Sequence, residues 1–272
     1  MTRDFEGKVA IVTGAGAGIG RATALLLAAR GATVVVADMH AQTSTEVVAE
    51  ITAGGGDAMA IVGDLSDQSV VDNLVSETVD TYGGVDVLIN NAGIMDDMSA
   101  PHEVSDALWE RVLRVNLTAP FLLTRAVVPH MLERSAGAIV NTTSEAGLRG
   151  SAAGTAYTVS KHGVIGLTRS AAVIYRDKGI RVNAVAPRRR SHQPRGQREE
   201  RRDGALGDRR LPRQRRAHRA VRGVGRGHRL PGLGRGEQYQ RRRRSGGQWV
   251  VGHLIHPPRC ARWRMRQRGA RW

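Results

Sequence analysis

Between residues 8 and 187, short β-branched apolar runs alternate with stretches of helical periodicity, and few folds accept that alternation. Residues 8–13 form an apolar run that ends in a glycine cluster, as a buried parallel strand does. Apolar residues then recur at helical spacing from 19 to 30, and Gly31 ends the segment. The pattern repeats with strands at 33–38, 58–62, 85–89, 137–143 and 180–185. Helices are expected at 43–53, 69–82, 105–133 (one long helix, kinked near Pro120) and 157–177. This predicts an α/β fold with a doubly wound parallel sheet over residues 1–187. Such sheets bind ligands at the carboxyl ends of their strands, and the residues below all fall there.

The turn after the first strand reads Thr13-Gly14-Ala15-Gly16-Ala17-Gly18-Ile19-Gly20. Gly14, Gly16, Gly18 and Gly20 permit a tight turn in which backbone N–H groups approach a pyrophosphate. The helix opening at Ile19 would add its N-terminal dipole. Asp38 ends the second strand, 18 residues past Gly20. A carboxylate there can accept hydrogen bonds from adenosine ribose hydroxyls and would repel a 2′-phosphate, which favours NAD over NADP.

Tyr157 and Lys161 are four residues apart on a predicted helix and so share a face. A nearby ammonium stabilises phenolate, so the expectation is a tyrosine with lowered pKa, suited to proton transfer. Ser144 ends the fifth strand, 13 residues before Tyr157, and can donate a hydrogen bond to a substrate oxygen.

The glycine turn at 13–20, Asn90-Asn91-Ala92-Gly93, and Ser144 with Tyr157 and Lys161 together resemble the short-chain dehydrogenase/reductase family. Their order and spacing are the family's, from Lys8 to Pro187 without a break. The resemblance implies a Rossmann-like domain and NAD(P)-dependent interconversion of a secondary alcohol and a ketone. It implies that Asn116 completes a catalytic tetrad with Ser144, Tyr157 and Lys161, holding a water that links Lys161 to solvent. It carries over Asp64 and Leu65 as adenine contacts and Asn91 and Ala92 as contacts on the adenosine side. Tyr157, Lys161 and Pro187 are carried over as further cofactor contacts, and Asn90 as a structural bridge between central strands. In oxidation Tyr157 would act as general base, Ser144 would steady the oxygen, and hydride would pass to the nicotinamide. No metal is required, and no ligand cluster is evident.

After Pro187 the composition breaks. Residues 1–187 hold 14 basic and 20 acidic side chains; residues 188–272 hold 27 Arg and five acids, with no Lys, Thr, Asn or Phe. Where the family continues with glycine, this chain has Arg188-Arg189-Arg190. Moving the reading frame one base downstream allows 188–195 to be read as G-G-V-A-T-N-L. It allows 230–251 to be read as F-L-A-S-D-E-A-S-N-I-N-G-A-V-V-P-V-D-N-G-W, similar to the family's last helix and strand. The expectation is therefore an incomplete catalytic domain at 1–187 and a frameshifted, disordered Arg-rich tail at 188–272. The sixth strand would be left as an exposed edge, and the chain nearly inactive. The frame-restored protein is expected to be an active homotetramer.

The competing reading is a non-catalytic basic protein that binds nucleic acid non-specifically, with 241–244 as its densest basic patch. No recognition fold or aromatic platform organises that patch. The chain opens Met1-Thr2-Arg3-Asp4 without a basic-then-apolar leader. No apolar run approaches the roughly 18 residues of a membrane helix, and the single Cys260 excludes an intrachain disulfide. Together these lead to the expectation of a soluble, cytoplasmic protein.

Overall fold

The computed structural model describes residues 3–150, 152–188 and 249–251. Its core is a single sheet in the order β3-β2-β1-β4-β5-β6-β7. The strands are β1 (Val9–Thr13), β2 (Thr33–Asp38), β3 (Ala58–Val62), β4 (Val87–Asn90), β5 (Gly137–Thr142), β6 (Ile180–Ala186) and β7 (Trp249–Val251). Strands β1 to β6 are mutually parallel. The helices are α1 (Gly18–Ala29), α2 (Ala41–Ala53), α3 (Gln68–Tyr82), α4 (Asp106–Leu113), α5 (Ala119–Glu133) and α6 (Thr155–Tyr175). This is the Rossmann-like architecture that the alternation predicts.

Strand β1 shows why both faces must be covered. Ala10 and Val12 pack with Val34, Val36, Val47 and Ile51 in a cluster that includes Ala24 and Leu27 of α1. Ile11 points to the other cluster, with Leu74 of α3 and Leu123, Val127 and Met131 of α5. A strand buried on both sides has no polar face, so its run reads as continuously apolar. The strand order reverses between β1 and β4. That switch point opens a crevice at the carboxyl ends, flanked by the glycine turn after β1 and by Asn91 to Gly93 after β4.

Two expectations are corrected. The segment 105–133 is helical without a gap, but its irregularity is a π-helical turn at Arg114–Thr118, between α4 and α5, and not a kink at Pro120. The break falls just before Pro120, whose ring has no N–H to donate back to the preceding turn. The second correction concerns β6, expected to be a bare edge. Ala184, Val185 and Ala186 pair antiparallel with Val251, Val250 and Trp249. Even a three-residue strand supplies partners for backbone groups that an open edge would leave to other chains. Apart from Arg188 and these three residues, the expectations for 188–272, namely disorder and nucleic-acid contact at 241–244, lie outside the described residues.

Candidate active site

The glycine turn is held by close contacts. Gly14 and Gly18 adopt φ of +61° and +55°, a region that L side chains rarely enter. A Cβ on Gly20 would stand 2.0 Å from the Gly14 carbonyl oxygen, and one on Gly14 would stand 2.9 Å from Ala92 Cα. Only glycine lets the turn fold back on α1 and lie against the strand beside it. Thr13 Oγ1 accepts from the amides of Asn91 (2.9 Å) and Ala92 (3.0 Å), tying the end of β1 to the end of β4. The N-cap of α1 is Ala17, which has no side-chain oxygen. The helix therefore opens toward the crevice with unsatisfied N–H groups, beside an exposed Ile19. A glycine cradle that any Cβ would fill, against an uncapped helix start, fits a dinucleotide pyrophosphate.

Asp38 lies beside this turn. Its Oδ2 accepts from the Gly16 amide at 2.9 Å and its Oδ1 from the His40 amide at 3.1 Å. The carboxylate thus faces the cradle, as the sequence suggests. The other carried-over residues have partners within the protein. The Asn91 side-chain amide donates to the carbonyls of Thr13 (3.0 Å) and Gly14 (3.3 Å), so it braces the turn. The Asp64 carboxylate accepts from Ser66 and from Arg114 Nη2 at 3.1 Å. Those Ser66 bonds, then Arg114, hold it below the usual carboxylate range. Leu65 is buried in the core cluster. Pro187, at the end of β6, offers its carbonyl to the Glu145 amide at 3.1 Å.

The four tetrad positions converge across the crevice. Tyr157 and Lys161 lie on one face of α6, with Lys161 Nζ 5.5 Å from the centroid of the Tyr157 ring. Ser144 stands just past β5, its Oγ accepting from the Ala146 amide at 3.2 Å, and its hydroxyl acts on the Tyr157 phenol. Lys161 is 3% exposed and donates to the Thr142 carbonyl at 2.9 Å. Its burial pushes the ammonium down to about 8. The expectation of a lowered Tyr157 is corrected. Burial pushes this phenol up, with the Asp96 charge in the same direction, and only the Ser144 hydrogen bond opposes them.

Asn116 is fully buried within the π-helical turn. Its Oδ1 accepts from the Ile94 amide at 2.8 Å, and its Nδ2 donates to the Ile94 carbonyl (2.9 Å) and to Ser160 Oγ (3.2 Å). Ser160 in turn donates to the Tyr157 carbonyl at 2.8 Å. Asn116 and Lys161 both crowd the Cα of Gly93, where a Cβ would stand 3.1 Å from Asn116 Oδ1 and 3.4 Å from Lys161 Nζ. Sequence reasoning missed the bridging role of Ser160, although it directly precedes Lys161 and is wholly buried. It also missed Asp96, a polar residue in a loop with no periodicity to mark it. Asn90 is the expected structural bridge, donating to Asn141 Oδ1 at 2.8 Å. Asn141 extends the link to Thr168 of α6 at 2.9 Å.

Among the described residues no group of His, Cys, Asp or Glu could hold a metal ion, and no helix is long and apolar enough to cross a membrane.

Residues 8–198 match the family profile described as short chain dehydrogenase. Cyclohexanol dehydrogenase of Acinetobacter sp. (strain SE19) is 45% identical over 187 residues, which are 69% of this chain and 74% of that protein. A 3-oxoacyl-[acyl-carrier-protein] reductase of Synechocystis sp. (strain ATCC 27184 / PCC 6803 / Kazusa) is 46% identical over 184 residues, 66% of this chain and 73% of that one. Among solved structures, NAD+-bound xylitol dehydrogenase superposes with a TM-score of 0.66 at 38% identity, covering 68% of this chain and 71% of its own. With the family's fold, its motifs in order and its profile matched over most of the length, the chain belongs to the short-chain dehydrogenases, oxidoreductases acting on CH–OH groups.

Proposed function

We propose that residues 1–187 form the catalytic domain of an NAD-dependent dehydrogenase that interconverts a secondary alcohol and a ketone. The observation that carries this reading is the Tyr157 phenol beside Ser144, with a buried ammonium 5.5 Å from its ring, across the crevice from a glycine cradle. Asp38 favours NAD, because its carboxylate at the end of β2, beside the glycine turn, would accept from the adenosine ribose hydroxyls and repel a 2′-phosphate there.

When bound, the nicotinamide accepts or returns the hydride. The protein's own groups move the proton and hold the oxygen. Ser144 donates a hydrogen bond to the substrate oxygen, and Tyr157 takes the alcohol proton in oxidation or gives it in reduction. Lys161 keeps positive charge beside the phenolate as it forms. Asn116, locked by Ile94 and Ser160, fixes the wall behind Lys161 and is the tetrad's link toward solvent. The exposed Met95, Met98 and Leu148, on the loops after β4 and β5, give the mouth an apolar rim that suits an apolar carbinol substrate. The similarity to cyclohexanol dehydrogenase points the same way.

We further propose that residues 188–272 are translated from a displaced frame. The alignments to relatives span 183 to 187 residues and leave between about a quarter and a third of each relative unmatched. In this chain Arg188 occupies the join and pairs with Glu145 at 3.6 Å, next to Ser144. The segment that would cover the nicotinamide is thereby replaced, so the chain as it stands turns over slowly. The frame-restored protein is active, cytoplasmic and tetrameric.

Formation of reduced nicotinamide, followed by its absorbance with a panel of cyclic and acyclic secondary alcohols, tests both readings. The frame-restored protein should oxidise an apolar secondary alcohol with NAD, and Tyr157→Phe should abolish that turnover. Full activity of Tyr157→Phe would overturn the catalytic reading. Equal rates for the two chains would overturn the frame reading, which resequencing the DNA across codon 188 also checks.

A further inference from the structure

The helix that carries Tyr157 and Lys161 lacks a cap of its own. α6 begins at Thr155, and its N-cap, Gly154, has no side chain to satisfy the first amides. The missing acceptor comes from the loop after β4. Asp96 Oδ1 accepts from the Gly154 amide at 3.0 Å, and Oδ2 accepts from the Tyr157 amide at 2.9 Å. A second strap lies alongside: the Ser99 carbonyl accepts from the Thr155 amide (3.0 Å) and from Thr155 Oγ1 (2.9 Å).

The approach is too close for another residue at the cap. A Cβ on Gly154 would stand 2.6 Å from Asp96 Oδ2 and 2.7 Å from Met98 Cα. Met98 itself adopts φ of +69°, a left-handed conformation unusual for a non-glycine residue. Asp96 Oδ1 also takes the Met98 amide at 3.3 Å, so the same carboxylate shapes its own loop. Local strain, an enforced glycine and three amides on one carboxylate converge on a single contact.

We propose that Asp96 is a positioning residue for Tyr157, caps α6 from the loop after β4, and so sets where the phenol stands over the crevice. The inference deepens the oxidoreductase reading above and rests on it. A carboxylate at a helix start is favoured by the unsatisfied amides and by the dipole. Its charge also lies near the phenol and, with burial, holds Tyr157 protonated. That is the form that gives a proton to a ketone oxygen in reduction. Lys161, on the same helix, and Asp96, on the loop, are the charged groups assigned to the phenol. Ser144, from β5, meets it as a neutral hydroxyl.

The test uses the full chain with Asp96→Ala and Asp96→Asn. Amide hydrogen exchange is read at Gly154 and Tyr157, and the Tyr157 phenol is titrated by its phenolate absorbance, taken as the difference from Tyr157→Phe in each background. Asp96→Ala removes both acceptors and should speed exchange at the two amides by about tenfold or more. Asp96→Asn keeps one acceptor oxygen and should protect one of the two amides. Both variants remove the charge, so both should titrate Tyr157 at a lower pH than the unaltered chain. Unchanged exchange at both amides in Asp96→Ala, or a phenol titrating at the same pH in all three proteins, would overturn the proposal. Exchange in α3 serves as the control for general unfolding. Turnover enters neither readout. Failure of the oxidoreductase reading would show instead as an active Tyr157→Phe in the frame-restored protein.

Discussion

Replacing Lys161 with methionine should make the protein more stable at neutral pH while removing the ammonium proposed to support Tyr157. The side chain is 3% exposed, and burial lowers its pKa from 10.5 to about 8. A gap of about 2.5 units corresponds to about 3 kcal/mol at 1.36 kcal/mol per unit. Below pH 8 both folded and unfolded chains carry the proton, so the folded state bears the full desolvation. Between about 8 and 10.5 the unfolded chain still binds the proton and the folded chain does not. Stability contributed by this group therefore rises with pH across that window. Methionine does not titrate, so its contribution is flat. It also leaves the Thr142 carbonyl without its 2.9 Å donor, a loss of about 1 kcal/mol. The variant should then be about 2 kcal/mol more stable than the unaltered chain at pH 7 and about 1 kcal/mol less stable near pH 10.5. Denaturant unfolding of both proteins across that range gives the difference curve directly. A difference that stays constant with pH would refute the argument, because it would mean that the ammonium is not desolvated by folding.

Gly20→Ala puts a Cβ 2.0 Å from the Gly14 carbonyl. It should cost on the order of 2 kcal/mol in thermal or denaturant unfolding, and it should weaken NADH binding, measured by nucleotide fluorescence, by at least about tenfold. Asn141→Ala removes the acceptor of Asn90 Nδ2 and the donor to Thr168, in a site where Asn90 Oδ1 is already buried without a partner. Denaturation should register a loss of about 3 kcal/mol, and a loss under about 1 kcal/mol would show that the bridge between β4, β5 and α6 carries little. Asp38→Asn keeps an acceptor for the Gly16 amide but removes the charge. Titration with NADH and NADPH should show their dissociation-constant ratio moving toward NADPH by about tenfold; an unmoved ratio would exclude Asp38 as the discriminating group.

The strands were readable because a strand buried on both faces has no choice but to be apolar throughout, as in residues 9–13 and 33–38. The glycine turn and the Tyr157–Lys161 pair were readable for a similar local reason, since tight turns and helical faces are set by neighbours a few residues away. The π-helical turn at Arg114–Thr118 was not. Its residues carry ordinary helical periodicity, and the partners that seat its Asn116, Ile94 and Ser160, lie 22 and 44 residues away. Asp64 and Asn91 were legible as polar groups at strand ends, but the partners that engage them come from Arg114 and from the glycine turn itself.

Residue order alone decided the parallel sheet, the cradle at its switch point, and the presence of a serine, a tyrosine and a lysine at matching strand and helix ends. It also marked the break after Pro187, because charge and composition need no coordinates. Packing decided the rest. Desolvation depends on what surrounds a group in space, so only the assembled core could show that Tyr157 is pushed up and Lys161 down. The cap that Asp96 places on α6 spans 58 residues of sequence, and no local pattern encodes a contact at that distance.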